Sequence, residues 1–263
     1  WPSLYPDLHT FRMTGGEPLM SKDVFKVLEY IRDNPTINPN LSLSINTNLG
    51  VPDKLVDRFI EIAKDLCDNN KVRELIVFTS VEATGAQAEY SRFGLKYEKF
   101  WSNVDKVLTK LPKVTINIMA TYNALSVFSY SDLIDRVFEY KKKYANGERY
   151  WVSALQLDTS YLRWPTHLSV KILEPKHKEL ILDSAKKALY YGIKEFTSDN
   201  YGFSNVEIQK IKRLYDYAKG GTSFDVLKYR KDFVKFVDEY DKRRGTKFLE
   251  TFPQLEEMYV ENK

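Results

Sequence analysis

The stretch Phe11-Arg-Met-Thr-Gly-Gly-Glu-Pro-Leu-Met20 decides how the rest of the chain is interpreted. Residues 8–13 include the apolar Leu8, Phe11 and Met13 and predict a buried strand, which ends at Thr14-Gly-Gly-Glu-Pro18. A helix is predicted from Ser21, a candidate N-cap, to about Arg32. Two adjacent glycines at the end of a strand remove both Cβ atoms, so the backbone there can approach a ligand closely. The alternative is a tight strand-to-helix turn without a ligand.

The composition is that of an ordinary soluble globular protein. The chain has 263 residues, of which 43% are hydrophobic and 29% charged, and its formal net charge is +4. This length is sufficient for one large α/β domain with a substantial core. Because Lys and Arg alternate with Asp and Glu along the predicted helices, we expect no nucleic-acid partner. No run of about 18 apolar residues is present, so we expect no membrane partner.

The chain contains a single cysteine, Cys67. One cysteine excludes an internal disulfide and is typical of a reducing compartment, so we expect a cytoplasmic protein. Cys67 falls on an apolar helical stripe, where a small packed residue is the simplest interpretation. The three histidines, His9, His167 and His177, lack the spacing of metal ligands, and no nucleophile-elbow motif supports a Ser-His-Asp hydrolase.

Predicted strands and helices alternate over the first two thirds of the chain. The strands are predicted at residues 8–13, 41–46, 72–80, 114–121 and 151–158, and the helices at 22–32, from 53, at 97–111 and at 130–144. This alternation predicts right-handed βα units and a parallel sheet over residues 1–175. Residues 176–263 predict only helices, at 179–191, 205–219 and 223–243, and we interpret them as a helical extension of the same domain.

Polar and glycine residues gather where the predicted strands end. The groups are Gly15 to Glu17, Asn46 to Gly50, Ser80 to Arg92, Thr121 to Asn123 and Gln156 to Asp158. The carboxyl ends of parallel strands lie on one side of a barrel or open sheet, and ligands bind there. The pattern therefore favours a ligand-binding α/β barrel or partial barrel.

Four segments, taken in order, point to a family. They are Leu8-His-Thr-Phe-Arg-Met-Thr-Gly-Gly-Glu-Pro-Leu-Met20, the strand that ends in Asn46-Thr-Asn48, Ser80-Val-Glu82 with Glu89-Tyr-Ser-Arg92-Phe-Gly94, and the tail at residues 238–253. The series resembles the radical S-adenosylmethionine (SAM) superfamily, most closely its twitch-type members related to the SPASM group. This resemblance implies a partial (β/α)6 TIM-like barrel that lacks its first βα unit, followed by a C-terminal helical extension.

The resemblance also implies an activity and its cofactors. Members of the family cleave SAM reductively at an iron–sulfur [4Fe–4S] cluster, and the 5′-deoxyadenosyl radical abstracts a hydrogen atom from the substrate. The implied partners are a small-molecule or peptide substrate and an electron donor that reduces the cluster. The implied SAM-binding residues are Gly15, Gly16 and Glu17 at the methionine amino group, Ser80 and Glu82 at the ribose, Arg92 at the methionine carboxylate, Asn46 and Asn48 at SAM or substrate, and Gln156 and Leu157 near the adenine.

The cluster ligands depart from the family pattern. The family carries CxxxCxxC after its first strand, whereas this chain has only Cys67 in a predicted helix, and a cluster of this kind needs thiolate ligands. We expect the missing βα unit, about 30 residues long, and its cysteines upstream of Trp1. The chain alone is then expected to be inactive. Two alternatives remain open, a cluster-less barrel that binds a nucleoside or peptide, and an unrelated phosphate-binding βα barrel.

Overall fold

The computed structural model describes residues 1–145, 153–194 and 201–263. Five strands form one parallel sheet whose spatial order follows the chain, and they are β1 (Thr10–Met13), β2 (Ser42–Asn46), β3 (Glu74–Ser80), β4 (Thr115–Tyr122) and β5 (Leu155–Tyr161). The prediction of an α/β fold with a parallel sheet is confirmed. The fifth strand is shifted relative to its prediction at 151–158, and residues 151 and 152 lie outside the described residues.

Eleven helices are defined within the described ranges. They are α1 (Lys22–Asp33), α2 (Asp53–Asp68), α3 (Gly85–Ser91), α4 (Tyr97–Lys110), α5 (Tyr130–Lys143), α6 (Pro175–Lys178), α7 (Leu180–Lys194), α8 (Asn205–Lys219), α9 (Val226–Arg244), α10 (Phe248–Thr251) and α11 (Glu256–Glu261). None of these described helices is both long and apolar enough to cross a membrane. The polar segment after the third strand contains a short helix, α3, in addition to the helix predicted from Tyr97.

Four helices form a layer on one side of the sheet. Helix α1 packs on α2 and α2 packs on α4, while the Tyr140 ring of α5 lies 4.6 Å from the Trp101 ring of α4. Right-handed crossovers between successive neighbouring strands place all their helices on the same face. Eight of the strand side chains that face this layer are at most 1% exposed, namely Leu43, Ile45, Leu75, Val77, Ile116, Ile118, Leu155 and Leu157. They form the centre of the core.

The other side of the sheet, which we call the open face, is mainly polar. It carries the alternate residues of each strand, among them Arg12, Ser44, Asn46, Ile76, Phe78, Asn117, Met119, Gln156 and Asp158. Of these nine, Arg12 is exposed, Ser44 is buried and the other seven are half-buried. Side chains that alternate between apolar and polar are typical of strands with one face in the core and the other accessible to water.

The C-terminal helices pack onto the end of the sheet. Helix α7 packs on α5 and α8, and α8 packs along β5. Helix α9 contacts the short turns at residues 166–168 and 170–172, which follow β5. The buried side chains of this region, including Phe233, Phe248 and Phe252, belong to the same hydrophobic core as those of the sheet.

Helix α7 extends beyond its predicted end near Gly192. It continues to Lys194 because Gly192 is a packing position within the helix. A Cβ atom at this residue would lie 2.5 Å from Cδ1 of Ile208 and 3.0 Å from the carbonyl oxygen of Phe203. The glycine therefore permits the close approach of α7 to α8 and does not end the helix.

Candidate functional site

The turn after β1 exposes its backbone. Gly15 and Gly16 have φ angles of +96° and +50°, a range that residues with a Cβ atom rarely adopt. A Cβ atom placed on either glycine would meet no heavy atom within 4 Å. The two glycines are thus required by conformation and not by crowding, and the peptide groups of the turn are accessible to a ligand.

Glu17 braces this turn against the loop after β2. One carboxylate oxygen accepts hydrogen bonds from the Thr47 hydroxyl at 2.6 Å and from the Leu19 amide at 3.1 Å, and the other accepts the Asn48 amide at 2.8 Å. The Asn48 side chain in turn accepts a hydrogen bond from the Gly50 amide at 2.7 Å. These contacts give Glu17 and Asn48 a positioning role whether or not a ligand is bound.

Glu82 and Arg92, two of the predicted SAM-binding residues, contact each other. Arg92 follows the last residue of α3, which returns its side chain to the end of β3, and its Nε donates to Oε2 of Glu82 at 2.7 Å. Glu82 is only 6% exposed. Burial raises the pKa of the Glu82 carboxyl above its ordinary value, although the Arg92 charge opposes this shift. A buried carboxyl with a perturbed pKa at a strand end is a common feature of functional sites.

A cavity of about 230 Å³, which we call the strand-end cavity, adjoins Glu82. Its polar lining comes from the carboxyl ends of the strands and includes Thr121 and Asn123, whereas α9 contributes Phe236 and Tyr240. Helix α9 is fastened here by reciprocal hydrogen bonds to α3. The Tyr240 hydroxyl donates to the carbonyl of Tyr90 at 2.7 Å, and the Tyr90 hydroxyl donates to Asp241 at 2.9 Å. A ligand with one polar and one apolar side would fit these walls.

The remaining predicted residues lie on the sheet itself. Asn46 and Ser80 are the last residues of β2 and β3, and the Asn46 side chain accepts a hydrogen bond from Nε of Arg12 at 2.9 Å. Gln156 and Leu157 are near the start of β5, so the prediction that they lie at the carboxyl end of the strand is wrong. The strand continues to Tyr161 because its residues alternate between the core and the open face.

Gln156 and Leu157 also face opposite sides of the sheet. Gln156 is on the open face, where its side-chain oxygen accepts a 3.4 Å hydrogen bond from Asn117. The Leu157 side chain is 1% exposed in the core, and its amide donates to Glu207 of α8 at 2.8 Å. The structure thus places two groups of predicted residues at strand ends. Gly15, Gly16, Glu17 and Asn48 lie after β1 and β2, and Ser80, Glu82 and Arg92 lie at the end of β3. Asn46 and Gln156 lie on the open face, in β2 and β5.

Three residues of this region were not predicted as functional. Arg12, Phe78 and Asn117 lie on the open face beside Asn46 and Gln156. The sequence did indicate a polar face of the sheet, because polar residues occupy every second position of β2 and β5. Such alternation is unusual for a parallel sheet, whose strands commonly bury both faces.

The described residues do not fit an iron–sulfur cluster. Within residues 1–145, 153–194 and 201–263, no three His, Cys, Asp or Glu side chains converge on a point where a metal ion is held. Cys67 is buried in α2, and burial raises the pKa of its thiol to about 11, which disfavours the thiolate that a cluster needs. The interpretation of Cys67 as a packed residue agrees with this position.

Comparison of the chain with family models, with curated proteins and with solved structures gave no match.

Proposed function

We propose that this chain is the SAM-binding part of a radical SAM enzyme, and that its sheet belongs to a partial (β/α)6 barrel. The observation that carries the proposal is the Gly15-Gly16 turn, whose accessible peptide groups lie at the end of β1, two strands from the Glu82–Arg92 pair. Neighbouring strands are about 4.8 Å apart, so the two groups are separated by roughly 10 Å. The separation suits a ligand with an amino acid at one end and a ribose further along.

The barrel is supported by the sheet order and by the exposure of the open face. Strands that follow one another in space as they do in sequence are found in barrels, whereas doubly wound sheets reverse direction at a switch point. Most side chains of the open face are half-buried although the helix layer lies on the opposite side. A concave sheet would bring these side chains close enough to shield one another.

Each part of the ligand would have a partner of suitable chemistry. The carbonyl groups of the Gly15-Gly16 turn would accept the methionine ammonium, and Glu82 would accept a ribose hydroxyl. Arg92 pairs with Glu82 through Nε and its side chain is 34% exposed, so its terminal nitrogen atoms would bind the methionine carboxylate. Glu17 would hold the turn in place. Reductive cleavage would additionally require thiolates from outside this sequence, an electron donor and a substrate.

Calorimetric titration of the chain with SAM tests this proposal. We expect SAM to bind, and Gly16→Ala to weaken it about tenfold or more, because a Cβ atom would enter the space assigned to the ligand. Gly245→Ala is the matched control, since Gly245 also has a positive φ, +66°, and also has open space around its Cβ position, but it ends α9. The absence of SAM binding, or an equal effect of the two substitutions, would contradict the proposal.

The cluster-less binding module is the second candidate, and the buried Cys67 thiol favours it. The same titration separates the candidates by comparing SAM with adenosine and inorganic phosphate. Equal affinity for adenosine and SAM would mean that the amino-acid part is not recognised, as expected for a nucleoside-binding module. Displacement of SAM by phosphate would instead indicate a phosphate-binding barrel.

A further inference from the structure

A row of side-chain amides crosses the open face. Asn46 of β2 pairs in register with Phe78 of β3, Phe78 with Asn117 of β4, and Asn117 with Gln156 of β5. The four side chains therefore lie side by side at one level of the sheet. We call the three amides of this set, Asn46, Asn117 and Gln156, the amide row, and Phe78 lies between the first two of them. An amide offers both a donor and an acceptor, so the row can bind a ligand that carries both kinds of group.

Arg12 lies across this row. Its guanidinium carbon is 4.2 Å from the centre of the Phe78 ring, its Nε donates to the Asn46 side chain at 2.9 Å, and its Nη2 is 3.9 Å from the sulfur of Met119. Contacts to three further strands hold the planar group in one orientation. A guanidinium that is fixed in this way loses little additional conformational freedom when it binds an anion.

Arg12 also supplies an uncompensated charge. Asp158 on the same face is paired with Lys210 at 2.6 Å, and Glu74 at the amino end of β3 contacts Arg73 at 3.0 Å. Arg12, by contrast, forms no ion pair with any carboxylate of the described residues and is exposed. One net positive charge surrounded by neutral amides suits a monoanion better than a phosphate dianion.

Asn117 points to a second property of the ligand. Its amide nitrogen donates to Gln156, but its side-chain oxygen is buried and has no hydrogen-bond partner among the described residues. A buried acceptor without a donor is destabilising, and such groups are usually satisfied by water or by a ligand. A ligand that pairs with Arg12 and with this oxygen carries an N–H or O–H group near its anionic end.

We propose that the open face binds a small carboxylate with an adjacent N–H or O–H donor, through Arg12 and the amide row, as the substrate site of the proposed enzyme. The inference deepens the proposed function and rests on it. The arrangement selects the carboxylate through the guanidinium fork and the neighbouring donor through Asn117. The Phe78 ring provides an apolar support beneath the guanidinium.

N-acetylglycine is a suitable probe, because it combines a carboxylate with an adjacent N–H group. We expect calorimetry or ligand-observed NMR to detect its binding, and about tenfold or greater weakening for N-acetylglycinamide, which lacks the charge, and for the Arg12→Gln variant. Arg12→Lys keeps the charge but loses the planar fork, so its affinity for N-acetylglycine should fall between those of the wild-type chain and of Arg12→Gln. Arg58→Gln is the matched control, since Arg58 also stacks on a ring, at 4.3 Å from Phe25, but is paired with Glu29.

SAM binding by the same variants separates the two proposals. Arg12→Gln should retain the affinity of the chain for SAM, which also shows that the variant is folded. If the chain binds SAM but Arg12→Gln leaves N-acetylglycine binding unchanged, the substrate site is overturned and the SAM site stands. If Arg12→Gln weakens SAM binding instead, Arg12 belongs to the SAM site, which overturns the inference.

The identity of the anion is tested by competition. Stronger competition by inorganic phosphate than by N-acetylglycine would overturn the assignment to a carboxylate. If N-acetylglycine binds in an Arg12-dependent way but SAM does not bind at all, the anion site is confirmed and the proposed SAM-dependent function is overturned.

Discussion

The Glu17 carboxylate and the Thr47 hydroxyl are 2.6 Å apart, and this hydrogen bond joins the turn after β1 to the loop after β2. Glu17→Ala would remove three accepted hydrogen bonds and leave the amides of Leu19 and Asn48 without that partner. We expect the free energy of unfolding to fall by about 2–3 kcal/mol, as measured by urea denaturation.

Thr47→Val is the partner substitution for this brace, since it replaces the hydroxyl that donates to Glu17 and accepts from the Leu49 amide. Its expected cost is about 1–2 kcal/mol, and the double variant should cost less than the sum of the two single changes, because the residues share one hydrogen bond. If Glu17→Ala cost no more than Thr47→Val, the carboxylate would not be a brace.

The contact between α7 and α8 predicts an unfavourable effect of Gly192→Ala. Alanine favours a helix over glycine by about 1 kcal/mol, but the new methyl group would overlap Ile208 and approach the Phe203 carbonyl. Overpacking of this kind typically costs about 1–3 kcal/mol. We therefore expect a lower melting temperature, whereas Gly221→Ala, where no heavy atom lies within 4 Å, should change it little. A stabilised Gly192→Ala variant would mean that the helices are further apart.

The thiol of Cys67 predicts a change of stability at alkaline pH. Burial raises its pKa to about 11 from an ordinary value of 9.0, so the folded chain retains the proton more strongly than the unfolded chain. The associated stability is fully present below pH 9 and is lost as the pH rises through 11. Two pKa units correspond to about 2–3 kcal/mol.

Cys67→Ala isolates this contribution from the other groups that titrate at alkaline pH. The two pKa values set the range of the measurement, from about pH 8.5 to pH 11. Over this range the free energy of unfolding of the wild-type chain, measured by denaturant titration, should fall by about 2–3 kcal/mol more than that of the variant. Equal losses by the two proteins would show that the thiol ionises in the folded chain as readily as in the unfolded chain.

The buried ion pair between Lys141 and Glu207 predicts a large cost for losing one partner. The Lys141 side chain is 0% exposed and its Nζ is 3.0 Å from Oε1 of Glu207, while burial lowers its pKa. Lys141→Met would leave a buried carboxylate without its counterion, at a cost of about 3–5 kcal/mol. Denaturation curves of Lys141→Met and of the neighbouring exposed Lys142→Met provide the comparison, and the second change should alter stability by about 0.5 kcal/mol or less.

A second substitution tests the cause of that cost. Adding Glu207→Gln to Lys141→Met removes the unpaired charge but keeps an acceptor for the Leu157 amide. The double variant should recover part of the lost stability. If it is less stable than Lys141→Met alone, the cost arises from lost packing of the lysine stem and not from the carboxylate charge.

Helices and most strands were predictable because their patterns are local. The bounds of α8 agree with the prediction, since apolar periodicity, the Ser204 cap and the glycines after Lys219 all act within one segment. The predicted fifth strand at 151–158 ends too early, because the polar residues Gln156 and Asp158, which indicate a strand end, alternate with core residues inside β5. Whether such polar residues lie within a strand or after it is decided by pairing with the neighbouring strand, β4.

The candidate site was predicted less completely than the fold, for a similar reason. Gly15 and Gly16 were recognisable from two adjacent letters, whereas the bracing role of Glu17 depends on Thr47, which is 30 positions away. Arg12 belongs to the stretch that decides the fold, yet its orientation depends on Phe78 and Met119 of two other strands. Register and side-chain pairing across a sheet are tertiary properties, so no local pattern contains them.

The hydrogen bond from the Leu157 amide to Glu207 has a consequence for how molecules of this protein behave at high concentration. A strand at the border of a sheet offers free amides and carbonyls that can recruit strands of other molecules and begin aggregation. At β5 the packed helix α8 lies along this border, and Glu207 occupies the Leu157 amide. An incoming strand would have to displace a carboxylate that Lys141 and the Ser204 amide also hold. The border at β5 is therefore closed to intermolecular sheet growth by a charged side chain instead of by a further strand.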